Sequence, residues 1–387
     1  MVPSTGYAAE LQRIDEDIAA LAGASDPERL THHVYRVYQK ASISGDLAAL
    51  TAVILTIDDT IKLLSNSGDL CLLKAHAAFK LHKLADVEAA LRTVPSVHDS
   101  DEGRLIRADL DFQRGHYQSA ESGYVDVLQR ERSWGALARL AHFRGKMGST
   151  AAADALYEEA QDELTAKEMR AYAWLEVQRG FLDFVHGQHE AAWLHYKLAD
   201  AAYPGYWLVY EHIAELLGAE GRYAEAVEIL ERVVSTVDRP DLGQAIAELY
   251  QLAGQSKLAL SWKERALSGY LQSAQRGEVH YYHHLADYYS DMVEDGTEAV
   301  KWARKDLRLR ENFATQAALA WALYCAGQFS DALHWIESAL ASDVVDARLF
   351  LWAGDIYGEA GKGAEGHELR LRAINLNPAV ADFHIHH

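Results

Sequence analysis

From Trp207 to Asp238 apolar and polar positions alternate with the period of a helix, not of a strand. Tyr210, Ile213, Ala214 and Leu217 share one helical face, Gly221 interrupts the pattern, and a second stripe runs through Ala226, Ile229, Leu230, Val233 and Val234. The segment predicts a helical hairpin. From residue 101 onward the same pattern returns about every 34 residues, with turn glycines at Gly115, Gly148, Gly187, Gly221, Gly254, Gly327 and Gly361. In the one doubled interval Asp295 and Gly296 supply the missing turn, which makes eight units. Ala120, Ala153, Ala192, Ala226, Ala259, Ala299 and Ala332 fall at a common point of the second helix, where two helices must approach closely.

The first 100 residues fit the pattern less well. Residues 1–24 read as an amphipathic helix with Leu11, Ile14, Ile18 and Leu21 on one face, capping the first repeat. Asp26 and Pro27 form a helix start, and 26–64 and 69–94 read as degenerate hairpins turning near Gly45 and Leu84, followed by a loop from Pro95 to Asp101. The expected organisation is therefore 1–100 as cap and degenerate hairpins, 101–270 as regular units, 271–380 as further units, and 381–387 as a His-rich solvated tail. The long interval around 270–280 predicts a lengthened helix or a break, about which the last three units could bend.

The shared period, turn glycines and packing alanines resemble those of the tetratricopeptide repeat family, with Pro204 and Pro378 also where that pattern closes a unit. The resemblance implies an all-α, right-handed superhelical solenoid of stacked antiparallel hairpins, acting as a non-catalytic scaffold whose first helices line a concave groove. Carrying the family's contact positions over gives Trp174, Phe181 and Phe184, then Glu211 and Glu215, then Asp241 and Glu248, then Tyr281, His284 and Tyr288, and finally Trp321 and Tyr324. Such a groove has aromatic, acidic and again aromatic sections. It implies a polypeptide partner with apolar anchors flanking a basic segment. The Lys, Arg and Asn of the family's carboxylate-binding members have no counterparts at these positions. An unpaired apolar end face also invites self-association.

Charge sharpens this picture. Lys and Arg total 37 against 57 Asp and Glu, a net charge of −20, so the summed field repels a phosphate backbone and argues against nucleic acid. No window reaches the ~18 apolar residues of a membrane span, and no basic leader precedes an apolar core, so membrane insertion is not expected and a cytoplasmic location is. Cys71 and Cys325 lie far apart in apolar helical contexts, which gives no disulfide framework.

The 19 histidines offer the main alternative chemistry. His280 and His284 share a helical face at a spacing that could chelate a divalent transition metal, and His384, His386 and His387 form a terminal cluster. No cofactor is otherwise implied. Phosphate loops, nucleophile elbows, zinc-protease motifs and dinucleotide fingerprints are missing, and adjacent carboxylates such as Glu158 and Glu159 diverge on a helix, so catalysis is not expected.

Overall fold

The computed structural model describes residues 6–64 and 67–385. Among them every regular element is helical. The N-terminal part comprises α1 (Tyr7–Leu21), α2 (Pro27–Ser44), α3 (Leu47–Leu64), α4 (Gly68–Lys80), α5 (Leu84–Thr93) and the single turn α6 (Pro95–His98). Eight hairpins follow. They are α7 (Asp101–Gln113) with α8 (Tyr117–Leu128), α9 (Trp134–Lys146) with α10 (Thr150–Asp162), α11 (Met169–Phe184) with α12 (His189–Ala202), and α13 (Trp207–Ala219) with α14 (Tyr223–Val234). Then come α15 (Pro240–Leu252) with α16 (Ser256–Gln275), α17 (Tyr282–Asp287) with α18 (Gly296–Leu307), α19 (Phe313–Cys325) with α20 (Phe329–Leu340), and α21 (Ala347–Glu359) with α22 (Gly363–Leu376). The chain is thus a tetratricopeptide-type helical-repeat solenoid.

The packing alanines explain the close hairpins, since all seven are buried. The doubled interval resolves into a 20-residue α16, a break at 276–281, and a short α17 that continues as a π-helical turn, Tyr288–Met292. Its turn uses Glu294 at φ 59° and the cap Asp295, whose carboxylate accepts from the amides of Thr297 and Glu298. Gly296 opens α18 pressed against the Ala326 backbone. The predicted turn at Leu84 lies slightly earlier, through His82 at φ 57°.

The feature that organises everything else is that the superhelix closes upon itself. Asn312 donates to the backbone carbonyl of Gln113, 199 positions away, and the Phe313 amide donates to the Tyr117 hydroxyl, 196 away. Tyr203 donates to Glu10, 193 away. These near-constant separations correspond to roughly six units of 34 residues, so one superhelical turn rests on the turn before it. The Val345 amide on the Lys146 carbonyl, at 2.9 Å, and the Tyr7 amide on the Pro204 carbonyl, at 3.1 Å, continue the seam. Beyond capping the first hairpin, α1 therefore bridges to the turn ahead of α13.

The C-terminal segment also differs from a solvated tail. Phe383, His384 and Ile385 are buried, Phe383 lies over Gly218, and the Ile385 amide donates to Glu215 at 2.8 Å. Apolar side chains at 383 and 385 give this short stretch enough surface to dock on α13.

Candidate functional site

Closure changes what the expected groove residues do. Glu215 is buried beneath the tail it binds, and Phe184 is packed between His189 and His384. Asp241 is forked by Arg239 at 2.5 and 3.2 Å, while Glu248 accepts from Gln244 at 3.0 Å. Glu211 is buried. Tyr288 is buried and donates to the Lys263 carbonyl. Trp321 stacks on Tyr324 and Trp352 and donates to Asp291, apart from the central space. An open acidic track for a basic segment is not what these side chains form: Asp241 and Glu248 are engaged by neighbours on or beside their own helix, and Glu215 by the tail.

What closure creates instead is an internal chamber of about 640 Å³. Trp174, Asp241, Tyr281 and His284 converge on it, joined by Trp134, Tyr206 and Trp207. Trp134 and Trp174 meet edge to face at 6.2 Å, and Trp207 is fixed by its indole N–H on the Ile43 carbonyl at 2.9 Å. Ile385 of the tail also borders this space. A second cavity of about 420 Å³ adjoins it, and His283 and Asp287 line both. Phe181 belongs to that second cavity, with its ring 5.5 Å from His212.

The chamber's charge is opposite in sign to that of the whole chain. Lys80, Arg170 and Arg239 all project into it. Arg239 is neutralised by Asp241: burial opposes that carboxylate, but Arg239 outweighs burial and the pKa falls to about 2. Arg170 lies 3.4 Å from Glu10. Lys80 has no ion-pair partner among the described residues; enclosure pushes its pKa down and the nearby Arg170 pushes it further. Its side chain is open to solvent, but that solvent is the chamber's. Burial, and then Asp291, raises Asp287 to about 8, so it is mostly protonated at neutral pH. Burial lowers His280 to about 4 and holds His82 and His283 well below the ordinary imidazole value. Of the three lumen cations, Lys80 alone therefore has no carboxylate beside it among the described residues.

Sequence reasoning missed Lys80, Trp134, Arg170, Trp207 and Arg239, which sit at the ends of helices and in the degenerate N-terminal part. Only closure brings them together.

The metal expectation also moves. The His280 ring lies against Tyr281 at 4.3 Å, and His284 stacks on Tyr270. Among the described residues, the group near enough to share an ion is His82, His283 and Asp306, with ligand atoms within 4.8 Å of one another. His384 is buried against Phe184, while His386 and His387 lie outside the described residues. Nor do the cysteines favour nucleophilic chemistry, because burial raises both thiols, Cys325 to about 11. Among the described residues no helix is long and apolar enough to cross a membrane.

No family model and no curated protein matches the chain. Solved structures similar in fold include yeast Tom70, at 13% identity and a TM-score of 0.44 over 97% of this chain and 93% of that one. Another is the human IFIT1 dimer with PPP-AAAA, at 13% identity and a TM-score of 0.49 over 97% and 96%. The Cut9–Hcn1 hetero-tetramer of the APC/C gives 12% identity and a TM-score of 0.46 over 96% and 80%.

Proposed function

We propose that this protein is a non-catalytic recognition module that admits its ligand into the closed superhelix, and that the ligand is an acidic, aromatic- or apolar-bearing segment of a polypeptide partner. The observation carrying this reading is the chamber itself. Its volume lies in the range of ordinary ligand sites, its walls carry five large aromatic side chains, and Lys80 and Arg170 supply positive charge within an otherwise acidic protein. Aromatic walls supply contact area with few rotors to freeze. A carboxylate entering the chamber would give Lys80 the ion-pair partner it has nowhere else among the described residues. The same argument reverses the sign of the partner's charge expected from an open groove, whose acids are already engaged.

Partner capture from source lysate by wild type, by a Lys80→Glu, Trp174→Ala variant and by a convex-face Leu194→Asp, Leu198→Asp variant tests this. Leu194 and Leu198 are exposed on α12, far from the chamber lining. Loss of a polypeptide from the chamber variant alone supports the reading. Loss from the convex-face variant alone, or capture of RNA in place of polypeptide, overturns it.

A further inference from the structure

We propose that His82, His283 and Asp306 form a divalent transition-metal site, best suited to zinc, that staples one superhelical turn to the next at the neck between the two cavities. His82 comes from the α4–α5 turn, whereas His283 and Asp306 come from the α17–α18 hairpin, so the ligands are drawn from two successive turns of the solenoid. No local sequence motif could announce such a set. The site stands independently of the recognition reading above.

Three observations carry the inference. The potential ligand atoms lie within 4.8 Å of one another. Side-chain rotations that shorten the longest of these separations by about 1.4 Å reach about 3.4 Å, the edge of a tetrahedron with ~2.05 Å bonds. The Nδ1 atoms of both His82 and His283 are enclosed without a hydrogen-bond partner, and the rings are 5.6 Å apart. Two orphaned ring nitrogens in one place are unusual in a folded interior and destabilise it until something fills them. Finally, Asp306 is almost wholly buried and oriented by Arg310, whose Nε and Nη2 donate at 3.2 and 2.8 Å.

Arg310 occupies one lone pair on each carboxylate oxygen and leaves the other available, so it can orient the ligand from behind. Its positive charge also acts against the ion, which sets the expected affinity below that of a four-ligand structural zinc site. Two histidines and a carboxylate leave a fourth position, and both His82 and His283 border the larger cavity. Water or an anionic group in the chamber would occupy that position. His280, whose Nδ1 is likewise without a partner, also lines the chamber.

The test is zinc binding to the full chain after metal removal, by equilibrium dialysis with elemental analysis, together with the visible absorption of the cobalt form. The background is a His384→Ala, His386→Ala, His387→Ala chain, so that the terminal cluster does not contribute. One equivalent is expected, with tetrahedral cobalt absorption and a rise in Tm on adding zinc. His82→Asn keeps a residue that tolerates the left-handed turn, and His283→Gln keeps a polar side chain on α17. Each should retain the far-UV circular dichroism of the parent and weaken zinc roughly tenfold or more. No equivalent bound by the background chain overturns the site, as does unchanged affinity in both folded variants. Binding through these residues without a rise in Tm overturns the staple.

Discussion

The closed superhelix makes a quantitative prediction that an open solenoid does not. Gly148 and Gly254 occupy equivalent hairpin turns, with φ of 77° and 73° and matching turn hydrogen bonds of 3.0 Å. A Cβ at Gly254 would meet nothing within 4 Å, whereas at Gly148 it would lie 2.7 Å from Val345 Cγ2 and 3.0 Å from Val345 Cβ. Alanine in the left-handed region costs about 1–2 kcal/mol at either position. Only at Gly148 must the neighbouring superhelical turn also move, adding overpacking of about 1–3 kcal/mol. Losing the Val345 amide bond to the Lys146 carbonyl adds about 1 kcal/mol. Gly148→Ala should therefore destabilise the protein by about 2–4 kcal/mol more than Gly254→Ala in urea unfolding. Hydrogen exchange at the Val345 amide should accelerate only in the former. Val345→Ala removes the closest clash, with Cγ2, and leaves the Cβ contact at 3.0 Å, so in that background the excess cost of Gly148→Ala should shrink by more than the error of a double-mutant cycle. Equal losses for the two glycine variants, with no change at Val345, would refute the seam between turns.

Two further outcomes follow from the same packing. Asp287 keeps its proton in the folded chain up to about pH 8 but loses it near 3.8 when unfolded, so the native state binds more protons and stability falls as pH rises through this window. Between pH 6.5 and 8 Asp287 by itself should contribute a decline of about 1–2 kcal/mol, partly offset toward pH 6.5, where His82, His280 and His283 are neutral in the folded state but about half protonated in the unfolded one. Asp287→Asn should flatten most of it in urea midpoints, leaving a smaller slope from Glu248, which burial raises to about 7. Phe383→Ala should cost about 3 kcal/mol if the tail packs as a core element, and an unaltered midpoint would mean that residues 383–385 do not hold α13 in solution.

The hairpins were legible because local rules fix them. A 3.6-residue stripe, a turn glycine and a small residue at the crossing act within one unit, and each of the eight units carries those features or, at Asp295, a capping substitute. Trp174, Asp241, Tyr281 and His284, expected on an open groove, line the chamber instead, in surroundings that the repeat pattern does not announce. Whether Glu215 faces a partner or the Ile385 amide depends on a contact between segments 170 residues apart, whereas Asp241 is held by Arg239 only two residues away. Contacts between distant segments leave faint marks in sequence. Gly148 and Gly254 look alike, although only one lies beneath another turn. His82 and His283 meet only because nearly six units complete one revolution.

That last relation explains why the chain encloses a chamber at all. A solenoid shorter than one superhelical turn presents its concave face to solvent, and residues on that face can be read as a binding track. Here eight regular units follow two degenerate hairpins, so the chain runs well beyond one revolution of about six units. The second turn then covers part of the first, while the docked tail borders the space that remains. Aromatic side chains suited to a groove become walls, and acids suited to a partner become internal acceptors. Cations from the degenerate N-terminal hairpins and the helix ends are left facing inward. The same extra length that hides the expected groove thus produces the enclosed site.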